Sequence, residues 1–135
     1  MTNNIIVIGA GRLGSTIARS LHNESNVLVI DKNKEKANRL QDYSGFIEVG
    51  DATDLSFLEK NGIESCEKVI IVTDDDNINI FISDLCQYVY GVPVVYAKLK
   101  DSRKRKLVDK KVVCICPFDL SLEFFEKEEG DNKWK

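Results

Sequence analysis

Histidine, proline and tryptophan are nearly missing from this sequence, which holds one histidine, two prolines and one tryptophan in 135 residues. With His22 as the single imidazole, and no cysteine spacing typical of a metal site, a structural zinc site is not expected. Of the four cysteines, Cys114 and Cys116 fall two apart on a predicted strand and share a face, a poor geometry for a disulfide. Cys66 and Cys86 read as ordinary buried or half-buried thiols. No apolar run approaches the roughly eighteen residues that span a bilayer. Residues 5–8 are too short for a secretory signal and lead into a glycine turn, so a cytoplasmic protein is expected. The net charge of −3 gives no global pull toward nucleic acid. There is no Gly-x-x-x-x-Gly-Lys loop for phosphoryl transfer, and no helix-turn-helix or base-reading basic arm.

What is present begins at residue 5. Ile5-Ile-Val-Ile8 runs straight into Gly9-Ala10-Gly11-Arg12-Leu13-Gly14, and an amphipathic helical stretch follows. This combination suits a pyrophosphate. Gly9 permits the tight strand-to-helix turn, Gly11 lets the backbone approach the phosphates, and Gly14 lets the helix pack closely on the sheet. Backbone N–H groups and the positive end of the helix dipole then face the anion. Asp31 ends the next apolar run, Val27 to Ile30, where a carboxylate is needed to accept both ribose hydroxyls.

Strand and helix signals alternate along the chain. Buried parallel strands are predicted at 5–8, 27–30, 46–49, 69–72, 94–97 and 112–116. The first helix carries Leu13, Ile17 and Leu21 on one stripe, and the fourth carries Ile78, Phe81, Ile82, Leu85 and Val89. Asp74 to Asp76 stand at the start of that fourth helix, and Gly91 and Pro93 mark its end. A last helix is expected from about Asp119 to Glu129, with residues 126–135 as a charged, frayed tail and residues 1–125 as one nucleotide-binding domain. This alternation predicts an α/β fold: a single-domain, Rossmann-like, doubly wound parallel six-stranded sheet of order 3-2-1-4-5-6. The strand ends then gather the glycine turn, Asp31, residues 50–53 and residues 73–75 in one crevice. Between Lys98 and Lys111, eight of fourteen residues are Lys or Arg. That stretch reads as the solvated face of a surface helix, or as attraction to phosphate, an acidic partner or a membrane surface. No aromatic residues interleave it, which disfavours single-strand nucleic-acid binding.

Gly50-Asp51-Ala52-Thr53-Asp54 follows the third strand, with Thr53 placed as a helix N-cap. It suits either the edge of an adenine site or a plain cap. Together with Gly-Ala-Gly-Arg-Leu-Gly, Asp31, Ala97-Lys98, Asp101 and Pro117, this motif resembles the nucleotide-binding lobe of RCK/KTN domains. Those domains regulate potassium channels and transporters, and the resemblance covers about residues 4 to 125.

The resemblance implies regulation and no catalytic residues. RCK lobes bind NAD(H), ATP, ADP, AMP or related adenine nucleotides. They form homodimers, in some cases higher rings, and gate a membrane potassium transporter or channel from its inner face. By position, Gly9, Ala10, Gly11, Arg12, Leu13 and Gly14 would cradle phosphates, Asp31 and Lys32 would bind ribose, and Asp51, Ala52 and Thr53 would border adenine. Thr73, Asp74 and Lys98 would line the opposite side. Arg12 reads either as a fork for a terminal phosphate, its own or a neighbouring subunit's, or as a solvated arginine. Lys98 reads as a phosphate partner or a strand-end cap. Asp31 should repel a 2′-phosphate, so NADP is disfavoured, and no metal site is expected. RCK subunits usually add a crossover helix and a smaller ligand-sensing lobe, whereas this sequence ends shortly after its last predicted helix. Ring assembly is therefore left open, and dimerisation through the late helices is expected. The rival reading is the NAD-binding domain of an oxidoreductase. Hydride transfer needs an acid–base residue beside the nicotinamide, and His22 lies at the wrong end of its helix.

Overall fold

Val7, Val27, Val29, Val69 and Ile71 are fully buried, as strands covered on both faces require. The computed structural model describes residues 3–40 and 42–132. Its strands are β1 (Asn3–Ile8), β2 (Ser25–Asp31), β3 (Phe46–Val49), β4 (Lys68–Ile71), β5 (Val94–Lys98) and β6 (Val113–Ile115). The helices are α1 (Arg12–His22), α2 (Lys34–Asn38), α3 (Leu55–Lys60), α4 (Asp76–Asp84) and α5 (Pro117–Asn132). Every strand pairing is parallel, and the order is β3-β2-β1-β4-β5-β6, as the alternation predicts.

The two-residue period of the strands divides the core between the two faces of the sheet. Ile5, Val7, Val27, Val29 and Ile70 point to one face, where Ala18 of α1 packs. Ile6, Ile8, Ile30, Val69 and Ile71 point to the other, against Leu58 of α3 and Ile82 of α4. β1 and β4 are neighbours whose connections leave in opposite directions, to β2 and to β5. Their C-terminal ends therefore open a crevice.

Four local expectations are corrected. The buried stripe of α4 is Asn79, Ile82 and Ser83, continuing to Leu85 and Cys86, while Ile78, Phe81 and Val89 are exposed. A single π-turn over Leu85–Val89 rotates the last residues off the helical period, and Gly91 ends the run at positive φ. On α1, Ile17 and Leu21 pack against the core as expected, but Leu13 is exposed and the buried residues are Gly14 and Ala18. The basic stretch is a 3-10 helix over Ser102–Leu107, capped by Asp101, rather than a regular surface helix. Finally, α5 continues through 126–132, where a frayed tail was expected, and residues 133–135 lie outside the described residues.

Candidate functional site

The glycine turn separates two demands. Gly9 has a φ of 111°, donates its N–H to Ile30 O at 2.8 Å, and would place a Cβ 2.8 Å from Val72 O. A Cβ on Gly14 would stand 1.8 Å from Gly9 O. Both positions therefore need glycine for the fold itself. Gly11 differs, because a Cβ there would meet nothing within 4 Å. Packing does not require a glycine at that position, and the space it leaves is open to the cavity.

Gly11 is the N-cap of α1, with extended backbone and no side-chain capping bond. The first intrahelical bond runs from Ser15 N to Gly11 O at 2.9 Å, so the N–H groups before it lack intrahelical acceptors. No acidic residue stands in the first turn to offset the dipole. Gly9 N and Ala10 N are paired, whereas no side chain caps the helix end that follows them. An anionic oxygen fits it, and the cradle passes the test that a phosphate group sets.

Asp31 ends β2 beside the turn. Its Oδ2 accepts from Ala10 N at 2.7 Å and its Oδ1 from Asn33 N at 2.7 Å. Each oxygen keeps lone-pair capacity for a ribose hydroxyl. The backbone continues the contact, because Gly50 N donates to Asp31 O at 3.0 Å and brings the loop after β3 alongside. There Asp51 Oδ1 accepts from Thr53 N at 2.9 Å and from Thr53 Oγ1 at 2.6 Å, which holds the Asp51 carboxyl below its usual range. Thr53 is therefore not the helix cap. Asp54 takes that role for α3, accepting from Ser56 N and Phe57 N.

Across the crevice, Thr73 and Asp74 follow β4, and Lys98 ends β5. Asn79, fully buried on α4, binds both lips: its Nδ2 donates to Thr73 O at 3.1 Å and to Lys98 O at 2.9 Å. Its Oδ1 accepts from the Thr73 hydroxyl. Asp76, read from sequence as a dipole-facing acid, instead accepts from Lys100 N at 2.8 Å and Asp101 N at 2.9 Å. The start of α4 is thereby tied to the loop after β5. The cap itself is Asp75, bonded to Asn77 N and Ile78 N. Asp74 pairs with two lysines, Lys36 Nζ at 3.2 Å and Lys98 Nζ at 3.4 Å. These bonds, the one from Lys36 first and the one from Lys98 next, hold its carboxyl below the usual range.

These groups surround a cavity of about 960 Å³. Twelve of the fourteen residues expected from sequence line it, among them Gly11, Arg12, Asp31, Asp51, Thr73 and Lys98. Ala10 and Gly14 do not: Ala10 is buried and offers only its N–H to Asp31, and Gly14 is buried under Gly9. Sequence reasoning missed Thr16, Lys36 and Arg39 on one side, and Ile78, Ile115, Pro117 and Leu120 on the other. Thr16, four residues after Arg12 on α1, was legible from helical spacing. Lys36 and Arg39 carry no motif and enter only through the packing of α2. His22 is remote from the cavity wall and bonds Ser44 Oγ at 2.8 Å.

The TrkA-N domain model matches residues 5–115. The chain is 32% identical over 108 residues to the Trk system potassium uptake protein TrkA homolog of Pyrococcus abyssi, covering 78% of this chain and 48% of that protein. It is 31% identical over 104 residues to TrkA of Mycobacterium tuberculosis, covering 76% of this chain and 47% of that protein. The chain thus spans about half the length of these relatives. Among solved structures, the TrkA-N domain of the inner membrane protein ybaL from Escherichia coli superposes with a TM-score of 0.81 at 12% identity, covering 94% of this chain and 96% of that one. The AMP-bound Kef C-terminal domain of Shewanella denitrificans gives 0.72 at 21% identity, with 90% and 77% covered. The GsuK channel bound to NAD gives 0.68 at 19% identity, with 84% and 21% covered. At these identities the likeness is one of fold.

Proposed function

The chain belongs to the TrkA-N domain family, and on that premise we propose that it is the nucleotide-sensing lobe of a potassium uptake or channel regulator. It binds an adenine nucleotide in the β1–β4 crevice and passes its occupancy to a membrane partner, with no chemical step of its own. The observation that carries this reading is the bare N-terminus of α1 beside Gly11, with Asp31 at its flank.

In this reading the N–H groups of Gly11, Arg12 and Leu13 hold the phosphates, with Gly9, Ala10 and Gly14 shaping the turn. Asp31 grips the ribose, with Lys32 beside it. Asp51, Ala52 and Thr53 border the adenine, and Thr73, Asp74 and Lys98 form the far wall. NAD in the GsuK channel and AMP in the Kef domain support an adenine nucleotide as the ligand class. NADP is disfavoured by repulsion between its 2′-phosphate and Asp31.

The membrane partner is a potassium transporter or channel subunit, which places this lobe at the inner face of the cell membrane. None of the described helices is long and apolar enough to cross a membrane by itself. Self-association as a homodimer uses the late helices, where Phe81, Tyr88, Phe118, Phe124 and Phe125 are exposed. Mass spectrometry of the denatured protein identifies the ligand that co-purifies, and calorimetric titration with NAD, ADP, ATP and AMP ranks them. Absence of binding by all four refutes the proposal.

A further inference from the structure

The Lys36–Asp74 ion pair crosses the mouth of the crevice. Lys36 lies on α2, which follows β2, and Asp74 follows β4, while β1 lies between those two strands in the sheet. A bridge from one to the other passes over the C-terminal end of β1, where the glycine turn begins. Lys98 joins from β5, so one carboxylate engages two ammonium groups, one through each oxygen.

The other carboxylates of the cavity wall are differently occupied. Asp31 is held by backbone N–H groups of Ala10 and Asn33, Asp51 by Thr53, and Asp75 by the first turn of α4. Asp74 is the one whose partners are side-chain cations. Its side chain is 68% exposed, whereas those of Lys36 and Lys98 are 33% and 13% exposed. The acid stands mostly in solvent, and the lysines lie more against the wall.

Resting on the adenine-nucleotide reading, we propose that Asp74 is an internal competitor for the phosphates of the ligand. In the free protein it occupies Lys36 and Lys98. A diphosphate or triphosphate displaces it and takes both lysines. Two ammonium groups and the positive end of α1 line the same cavity, and a phosphate with two or more negative charges complements them better than one carboxylate does. Asp74 opposes binding twice, through the ion pairs that must break and through repulsion of the incoming anion. It therefore sets how steeply affinity climbs with phosphate number.

Titration of the full chain with adenosine, AMP, ADP and ATP at low ionic strength tests this. Asp74→Asn, a change on an exposed loop, should bind ADP and ATP about three- to tenfold more tightly, the scale of two partly exposed ion pairs. The gain should be least for adenosine and should grow through AMP and ADP to ATP. In a Lys36→Met, Lys98→Met background the same substitution should change ADP affinity less. ADP binding that is unchanged or weaker in Asp74→Asn overturns the competitor role while leaving the nucleotide reading intact. Equal tightening for adenosine also overturns it. If the unaltered chain binds no adenine nucleotide, the underlying reading falls, and the competitor role with it.

Discussion

Asp31 Oδ2 and the Ala10 backbone N–H, twenty-one residues apart in sequence, meet at 2.7 Å. The carboxylate expected to grip a sugar is thus also the group that fixes the glycine turn against β2. Asp31→Ala should weaken every adenine nucleotide by about 1.5–3 kcal/mol, the usual worth of a hydrogen bond to a charged group. Calorimetry measures it, and unchanged affinity removes Asp31 from the site.

Gly11 and Gly14 give opposite expectations for the same change. Gly11→Ala has room for its Cβ, so stability should fall by less than about 1 kcal/mol, the difference between glycine and alanine at an N-cap. Nucleotide affinity should nonetheless fall at least about tenfold, because the methyl group occupies the phosphate's approach. Gly14→Ala drives a Cβ into Gly9 O and should destabilise the fold by about 3 kcal/mol or more. Thermal melts beside titrations separate the two. Equal effects of both variants on both readouts would contradict this assignment.

Arg12 is exposed and lines the cavity at the start of α1. If its guanidinium reaches a terminal phosphate, Arg12→Ala should cost more affinity for ATP than for AMP. Equal losses make it a bystander.

Tyr43 supplies a pH prediction. Its hydroxyl donates to Val27 O at 2.7 Å, and burial raises its pKa from 10.0 to about 12. The folded state therefore holds this proton more tightly than the unfolded chain. The associated stability is fully present below pH 10 and is lost as pH rises toward about 12. Tyr90, hydrogen-bonded to Glu59, and buried Cys86 are also raised to about 12 and add to the alkaline fall. Tyr43→Phe should flatten part of that slope, read by urea melts between pH 9 and 12. A slope identical in both proteins would show that Tyr43 takes no part.

Much of the fold and of the crevice is legible in the sequence. Strand order followed from alternation, and the crevice from the glycine turn together with Asp31, because those signals are local and rest on backbone sterics. Signals with two local solutions were harder. In Asp51-Ala-Thr-Asp54, both Thr53 and Asp54 suit an N-cap, and Asp51 decides it by capturing Thr53. On α4 residue type misled: polar Asn79 and Ser83 are buried while Ile78 and Phe81 are exposed, and the π-turn that follows shifts only the residues from Leu85 onward. Lys36 and Arg39 were invisible because their importance comes from where α2 lies, not from their own neighbours in sequence.

The uncapped start of α1 has a thermodynamic corollary. A fold that leaves this end for a ligand should gain stability with the logarithm of ligand supply, by about 2.7 kcal/mol when the free nucleotide is a hundred times its dissociation constant. Scarcity would then register twice, as an unoccupied sensor and as a shorter-lived one. Turnover of the protein would itself follow the supply of that ligand.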